Sequence, residues 1–217
     1  MNPTDFHLPI AFDLGATFVF AITGALAARR RGYDIVGLFF LALASGLGGG
    51  LIRDGLFIQQ GPPPLMTDGR YLWAVLAGGA AGALLGDQLT RFGRTIAMID
   101  ALGLGAYAVV GVQKSLAANL ALPAAVLVGV INAAGGGLLR DVLSREEPLV
   151  FKPGQFYVLI AFLGAVLFVA LTSLSPLTAT ASALITIGVT YLLRVLTIYL
   201  NWKTSAIAPA EPPRPSS

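Results

Sequence analysis

Gly48-Gly49-Gly50-Leu51-Ile52-Arg53-Asp54 closes a long apolar run, and Gly135-Gly136-Gly137-Leu138-Leu139-Arg140-Asp141 repeats it 87 residues later. Glycine in a helix costs roughly 1 kcal/mol relative to alanine, and each copy holds three in a row. A charged side chain among hydrocarbon costs roughly 2.5–3.5 kcal/mol on insertion scales. A chain that carries both liabilities twice, at one spacing, uses them. Close approach of two helices accounts for the glycines alone, and a helix end accounts for a charge alone. Neither explains why the arginine stands three residues after the glycines in both copies.

The surrounding composition places both copies in a membrane. Of 217 residues, 56% are hydrophobic and only 12% charged, with a mean hydropathy of +0.78. A soluble domain carries about 25% charge. The chain has no cysteine, which excludes disulfides and thiolate metal sites. Its one histidine, His7, reads as a solvated tail residue. Asp5 and His7 precede the first apolar run in place of a basic region, so no cleavable signal peptide is expected.

A spanning helix needs about 20 mostly apolar residues. Seven such segments are predicted: Pro9–Ala28, Asp34–Phe57, Tyr71–Leu89, Ile96–Gln113, Leu122–Leu143, Gln155–Ser173 and Leu177–Leu200. Ser173-Leu174-Ser175-Pro176 divides the last two, because proline ends the preceding helix. The proline-rich tail from 204 to 217 is expected to be disordered.

The net charge of +3 sits in short connections, so it reads as membrane orientation rather than nucleic-acid binding. Arg29, Arg30, Arg31, Arg91, Arg94, Arg145, Lys152, Lys203 and Arg214 fall on one side, and Arg70 and Lys114 on the other. The positive-inside rule then puts the N-terminus outside and the C-terminus in the cytoplasm.

The repeat extends beyond the glycines. Asp13 matches Asp100, Phe20 matches Tyr107, Ala21 matches Ala108, and Gly24 matches Gly111, all at the same offset. Past the motif a two-residue gap shifts the register, so that Tyr71 matches Phe156 and Gly79 matches Gly164. The expected division is a first three-helix repeat over 1–93, a second over 94–174, a seventh helix over 175–203 and the tail. Three is odd, so the second copy enters the membrane from the other side. The fold class expected is an all-α integral membrane protein with two inverted three-helix repeats plus a seventh helix. Such repeats are found in transport proteins.

Irregular backbone at membrane depth is tolerated where it lines a cavity or is buried in protein. A bend at Gly48–Gly50 and Gly135–Gly137 is expected to offer carbonyl oxygens to a cation. Arg53 and Arg140 stand beyond each bend, on opposite sides of the midplane. Asp54 and Asp141 are their sequence neighbours, but adjacent residues on a helix do not face each other. The expected partners are acids on other helices: Asp13, Asp87 and Asp100. Asp13 and Asp100 read equally as first-turn or capping acids or as pore-mouth carboxylates. Ser45 and Asn132, symmetry mates one turn before the glycines, either line a pathway or bond two helices. Gly78, Gly82 and Gly86 read as close packing, and Tyr71, Trp73 and Trp202 as interfacial aromatics.

Two GGGxxRD motifs, with DLGATFVFAITGA and DALGLGAYAVVGV as paired repeats, resemble the prokaryotic trimeric intracellular cation (TRIC) channels. These overlap with a widespread bacterial membrane family built from the same duplicated domain. The likeness covers about residues 10–200. It implies a homotrimer in the inner cell membrane of a bacterium or archaeon, in contact with membrane lipids. Each protomer has one pore, lined by the second and fifth spans, passing potassium and also sodium. The basic motif positions fall on Arg53 and Arg140. Animal members carry a lysine-containing motif that this chain lacks. A transporter of a small solute such as glycine is the competing reading. No cofactor is implied, and no metal beyond the permeating ions. With no HExxH or GxSxG pattern, no enzyme chemistry is expected.

Overall fold

The computed structural model describes residues 8–90, 94–152, 156–200 and 202. His7, the tail and the side chain of Asp87, named above as a possible arginine partner, lie outside that part. Among the described residues eight α-helices are formed: α1 (Ala11–Arg30), α2 (Ile35–Ile52), α3 (Pro64–Thr67), α4 (Arg70–Thr90), α5 (Thr95–Ala117), α6 (Leu122–Leu143), α7 (Tyr157–Leu174) and α8 (Ala179–Tyr199). Six are long and apolar enough to cross a membrane, α2 together with the π-helical turn Arg53–Ile58 that continues it. The seventh long helix, α4, has 21 residues. Its glycines, alanines and polar last turn dilute its hydropathy without shortening it.

Local chemistry sets the ends. Asp34 caps α2, accepting a hydrogen bond from the Gly37 amide at 2.8 Å. Thr178 caps α8 through the Ala181 amide. Pro123 opens α6, where a missing amide hydrogen costs nothing. The Ser173–Pro176 break separates α7 from α8 as expected.

The two halves run antiparallel. Lys114, near the end of α5, pairs with Asp13 at the start of α1. Arg31, just past α1, pairs with Glu146, just past α6. The approximate two-fold axis runs through the centre. Phe20 stacks on its own symmetry mate Tyr107, ring centroids 5.2 Å apart and 14° from parallel. Around this stack the core is small-residue packing. Gly78 abuts Phe18 and Ala21, and Gly82 abuts Ala25 and Ile22, so α4 lies close on α1. Gly103 lies against Phe20, and Gly129 against Val112. In lipid, such contacts and interhelical hydrogen bonds drive association, because hydrocarbon surrounds the helices either way.

Candidate functional site

The glycine motifs cross each other. A Cβ on Gly49 would collide with the carbonyl oxygen of Asn132, and one on Gly136 with the carbonyl oxygen of Ser45. Gly135 faces the Cα of Gly49 at 3.0 Å from the same kind of construction, and Gly48 faces Leu139. Gly50 and Gly137 sit over the guanidinium groups of Arg53 and Arg140. The expected carbonyl-freeing bend is not at the glycines: Gly48–Gly50 and Gly135–Gly137 are α-helical. The missing side chains serve contact, letting two backbones meet that any Cβ would hold apart. Among the described residues, the α-helical backbone gives way at the end of the first motif, in the π-helical turn Arg53–Ile58.

Each motif arginine is buried and held by two acids. Arg53 binds Asp54 through two parallel hydrogen bonds of 2.7 Å and lies 3.7 Å from Asp13. It also donates to Asn132 Oδ1 across the repeat boundary at 3.3 Å. Arg140 reaches Asp100 at 2.6 Å, Asp141 at 2.9 Å and the Thr23 hydroxyl at 3.0 Å. The expectation that the adjacent aspartates do not serve is therefore corrected. An arginine stem is long enough to fold its guanidinium back over its neighbour, and both members of each pair are buried, so water does not compete for them. The expected acids on other helices, Asp13 and Asp100, also pair.

Asp13 and Asp100 are buried side chains with arginine partners, so neither is a plain helix cap. Asp100 lies more than a turn inside α5. Ser45 and Asn132 are buried and bond helices together: Asn132 Nδ2 donates to the Tyr107 carbonyl at 2.7 Å, and Ser45 meets Thr23 at 3.3 Å.

Three tyrosines complete the site. Tyr71 donates to Asp13 at 2.7 Å and is buried, which corrects its reading as an interfacial aromatic. Trp73 and Trp202 do lie exposed. Tyr157 occupies the matching place in the second half, its hydroxyl beside Asp100 and Gly137. The register after the motif is therefore off by one from the Tyr71–Phe156 match. The signal was present in the sequence as Phe156-Tyr157. Tyr107 bonds Thr17 at 2.8 Å and donates to the Gly46 carbonyl. Lys114, in α5, and Arg194, in α8, each add a second cation at one end. Lys114 pairs with Asp13 at 2.6 Å, and Arg194 lies 5.2 Å over the Tyr157 ring. Both ends thus hold two carboxylates and two cations.

Cavities open on both ends and stop at the crossing. At the Asp13 end one of about 270 Å³ is lined by Asp54, Gln60 and Lys114, and another of about 300 Å³ by Asp13, Tyr71 and Lys114. At the Asp100 end one of about 190 Å³ is lined by Arg30, Arg140, Asp141, Glu146 and Lys152.

Fold and site together define a multi-pass helical membrane protein, made of two inverted copies of one three-helix unit around a charged, glycine-closed crossing. The profile of the family described as Glycine transporter matches residues 10–86 and 97–173, once per copy, and the chain belongs to that family. A UPF0126 membrane protein of Deinococcus radiodurans is 34% identical over 154 residues, 70% of this chain and 71% of that protein. The UPF0126 inner membrane protein YadS of Escherichia coli K12 is 29% identical over 90% of this chain and 94% of its own length. Among solved structures, the TRIC trimeric intracellular cation channel orthologue from Rhodobacter sphaeroides superposes with a TM-score of 0.81 at 30% identity. The match covers 88% of this chain and 97% of that one. A structure described as the basis for conductance through TRIC cation channels gives 0.78 at 29% identity, over 95% and 100%.

Proposed function

We propose that this protein is a monovalent cation channel, permeable mainly to potassium and also to sodium. It is a homotrimer with one pore per protomer, running between α2 and α6 past Arg53 and Arg140. The observation that carries this reading is the seating of Lys114 on Asp13. An ammonium at 2.6 Å occupies the place a permeating monovalent cation takes on that carboxylate. With Lys114 withdrawn, two carboxylates face one arginine, and the net charge at that mouth turns negative, which concentrates cations. The glycine crossing between the cavities is the closed position, and separation of α2 from α6 opens it. The names of the structural relatives support both the cation and the trimer. The N-terminus lies outside and the C-terminus in the cytoplasm of an inner membrane.

Planar-bilayer recording of purified protein in asymmetric potassium chloride tests the proposal. Unitary current steps reversing near the potassium equilibrium potential are the expected result. The family's description favours a second reading, a transporter for glycine or a similar solute, and cavities facing opposite ends suit alternating access equally. Saturable glycine uptake coupled to an ion gradient, without unitary steps, replaces the channel reading by that one.

A further inference from the structure

The ends of α2 and α6 are tied across the crossing, and the two ties are symmetry mates. At the Asp13 end, Gln60 follows the π-helical turn and donates to the Ala118 carbonyl, in the connection that leads to α6, at 3.4 Å. At the Asp100 end, Arg31 stands in the connection that leads to α2. It donates to the Arg145 carbonyl at 3.0 Å and pairs with Glu146, just past α6, at 3.3 Å. The Tyr33 hydroxyl adds a bond to the Leu143 carbonyl at 3.3 Å. Arg31 matches Ala118 at the offset of the two motifs, and Gln60 matches Glu146 at the offset of Tyr71 and Tyr157. The places correspond and the chemistry differs. One end has a long, uncharged hydrogen bond, and the other an exposed ion pair with two further bonds.

Behind each tie, the connection that follows the motif helix lies over a motif acid. In 59–69, Pro64 lines both large cavities of the Asp13 end. It also shares with Asp13, Asp54 and Tyr71 the wall of a small void between them. In 144–152, Leu149 lines the cavity of the Asp100 end, and its amide donates to Asp141 Oδ2 at 3.2 Å. Proline has no amide hydrogen to give. Pro64 therefore only leans on its acid, whereas Leu149 is fastened to its own. The cavity under 144–152 is the smaller, about 190 Å³ against about 270 and about 300 Å³.

We propose that 59–69 and 144–152 are lids, one for each mouth, and that the Arg31–Glu146 pair is an ionic latch on the second. The two side chains are 37% and 38% exposed, so dissolved ions reach the pair and screen it. The latch lets go as ionic strength rises at that face. Leu149 then lifts from Asp141, and the cavity widens toward the buried Arg140 and Asp141. The tie at the Asp13 end carries no charge, and salt leaves it as it is. The mouth at the Asp100 end is thus the salt-regulated one, and the mouth at the Asp13 end is not. The inference rests on the proposed pathway only in taking these cavities as its mouths.

The chain has no native cysteine, so single cysteines can report on each cavity. Ala97→Cys stands in the wall at the Asp100 end and Ala117→Cys in the wall at the Asp13 end. The probe is hydroxyethyl methanethiosulfonate, which is uncharged, so salt does not steer it. Raising potassium chloride from about 0.05 M to about 0.5 M shortens the screening length about threefold. Ala97→Cys is expected to react about two- to fivefold faster at the higher salt, the most that an exposed pair supplies. Ala117→Cys is expected to react at one rate throughout. With Glu146→Gln added, Ala97→Cys is expected to react at the fast rate at both salts. Three results overturn the proposal: Ala97→Cys indifferent to salt, Ala117→Cys rising as much, or the salt response kept in Glu146→Gln. The first two leave the latch intact and stand even where Glu146→Gln folds poorly. The label reports the lid whether or not the protein passes current. Failure of the channel reading shows as missing unitary steps, and failure of the lid as a flat rate.

Discussion

Gly49 meets the carbonyl of Asn132 across the molecular two-fold, and the symmetry-related contact sets Gly136 against the carbonyl of Ser45. Each glycine lies one turn after the residue whose carbonyl the other touches. Alanine at either position drives a methyl into backbone, which cannot move aside as a side chain can. Overpacking of this kind costs about 1–3 kcal/mol. Gly49→Ala and Gly136→Ala are each expected to lower thermal stability in detergent by that order and to change channel activity. Gly15→Ala, where the new methyl meets nothing within 4 Å, is expected to be neutral or stabilising by up to about 1 kcal/mol. Thermal scanning of the three variants in one detergent separates these outcomes.

Arg140 lies 2.6 Å from Asp100, both buried. Removing one member of a buried pair costs about 3–5 kcal/mol, because the other charge is left alone. Arg140→Ala is expected to lose that much, and Arg140→Ala with Asp100→Ala to recover part of it. Arg140→Lys keeps the charge but loses the fork that serves Asp100, Asp141 and Thr23 together. It is expected to assemble and to show altered conductance. Wild-type current in Arg140→Lys confines the arginine to a structural role.

Lys114→Gln is expected to raise cation current, and Asp13→Asn to lower it. The Lys114–Asp13 pair is only partly enclosed, so its worth is taken as about 1 kcal/mol. That shifts an open–closed balance about fivefold. Open probability in planar bilayers, with and without each substitution, checks both signs.

A reporter fused after residue 217 is expected to be active on the cytoplasmic side only. The structure groups Arg31, Arg145 and Glu146 at one end and Asp13, Gln60 and Lys114 at the other. The basic connections therefore stand together, as orientation requires. Activity of the reporter only outside the cytoplasm reverses this topology.

Purified protein is expected to run as three copies of a 22.5 kDa chain in native mass measurement. A stable monomer or dimer contradicts the trimer.

Much of this architecture was legible because the repeat preserves glycines and charges, which hydropathy alone does not require. The matches Asp13–Asp100, Phe20–Tyr107 and Ser45–Asn132 all reappear as symmetry mates in space. The meaning of the glycines was harder to read. A sequence shows that a Cβ is absent, but not which backbone comes to fill the place. The Arg53–Asp54 pair departs from a rule for exposed helix surfaces, which ignores what a long stem does when no water competes. Tyr71 was assigned to the membrane interface because its ring is amphipathic, whereas burial depends on Asp13, 58 residues away. Lys114 and Arg194 are not legible as site residues in the sequence because nothing repeats them in kind: one end uses an ammonium, the other a guanidinium.

Because Ser45 and Gly49, with Asn132 and Gly136, form one patch a single turn long, α2 and α6 share a fulcrum. Two gates in series can open in alternation, each blind to the other. A fulcrum allows two motions only. Lifting the helices apart at that point clears both mouths at once and makes a continuous conduit. Tilting them about it widens one mouth as it narrows the other and makes an exchanger. Both contacts lie on that one turn, so alanines at Gly49 and Gly136 are expected to act as one substitution, not as two independent ones.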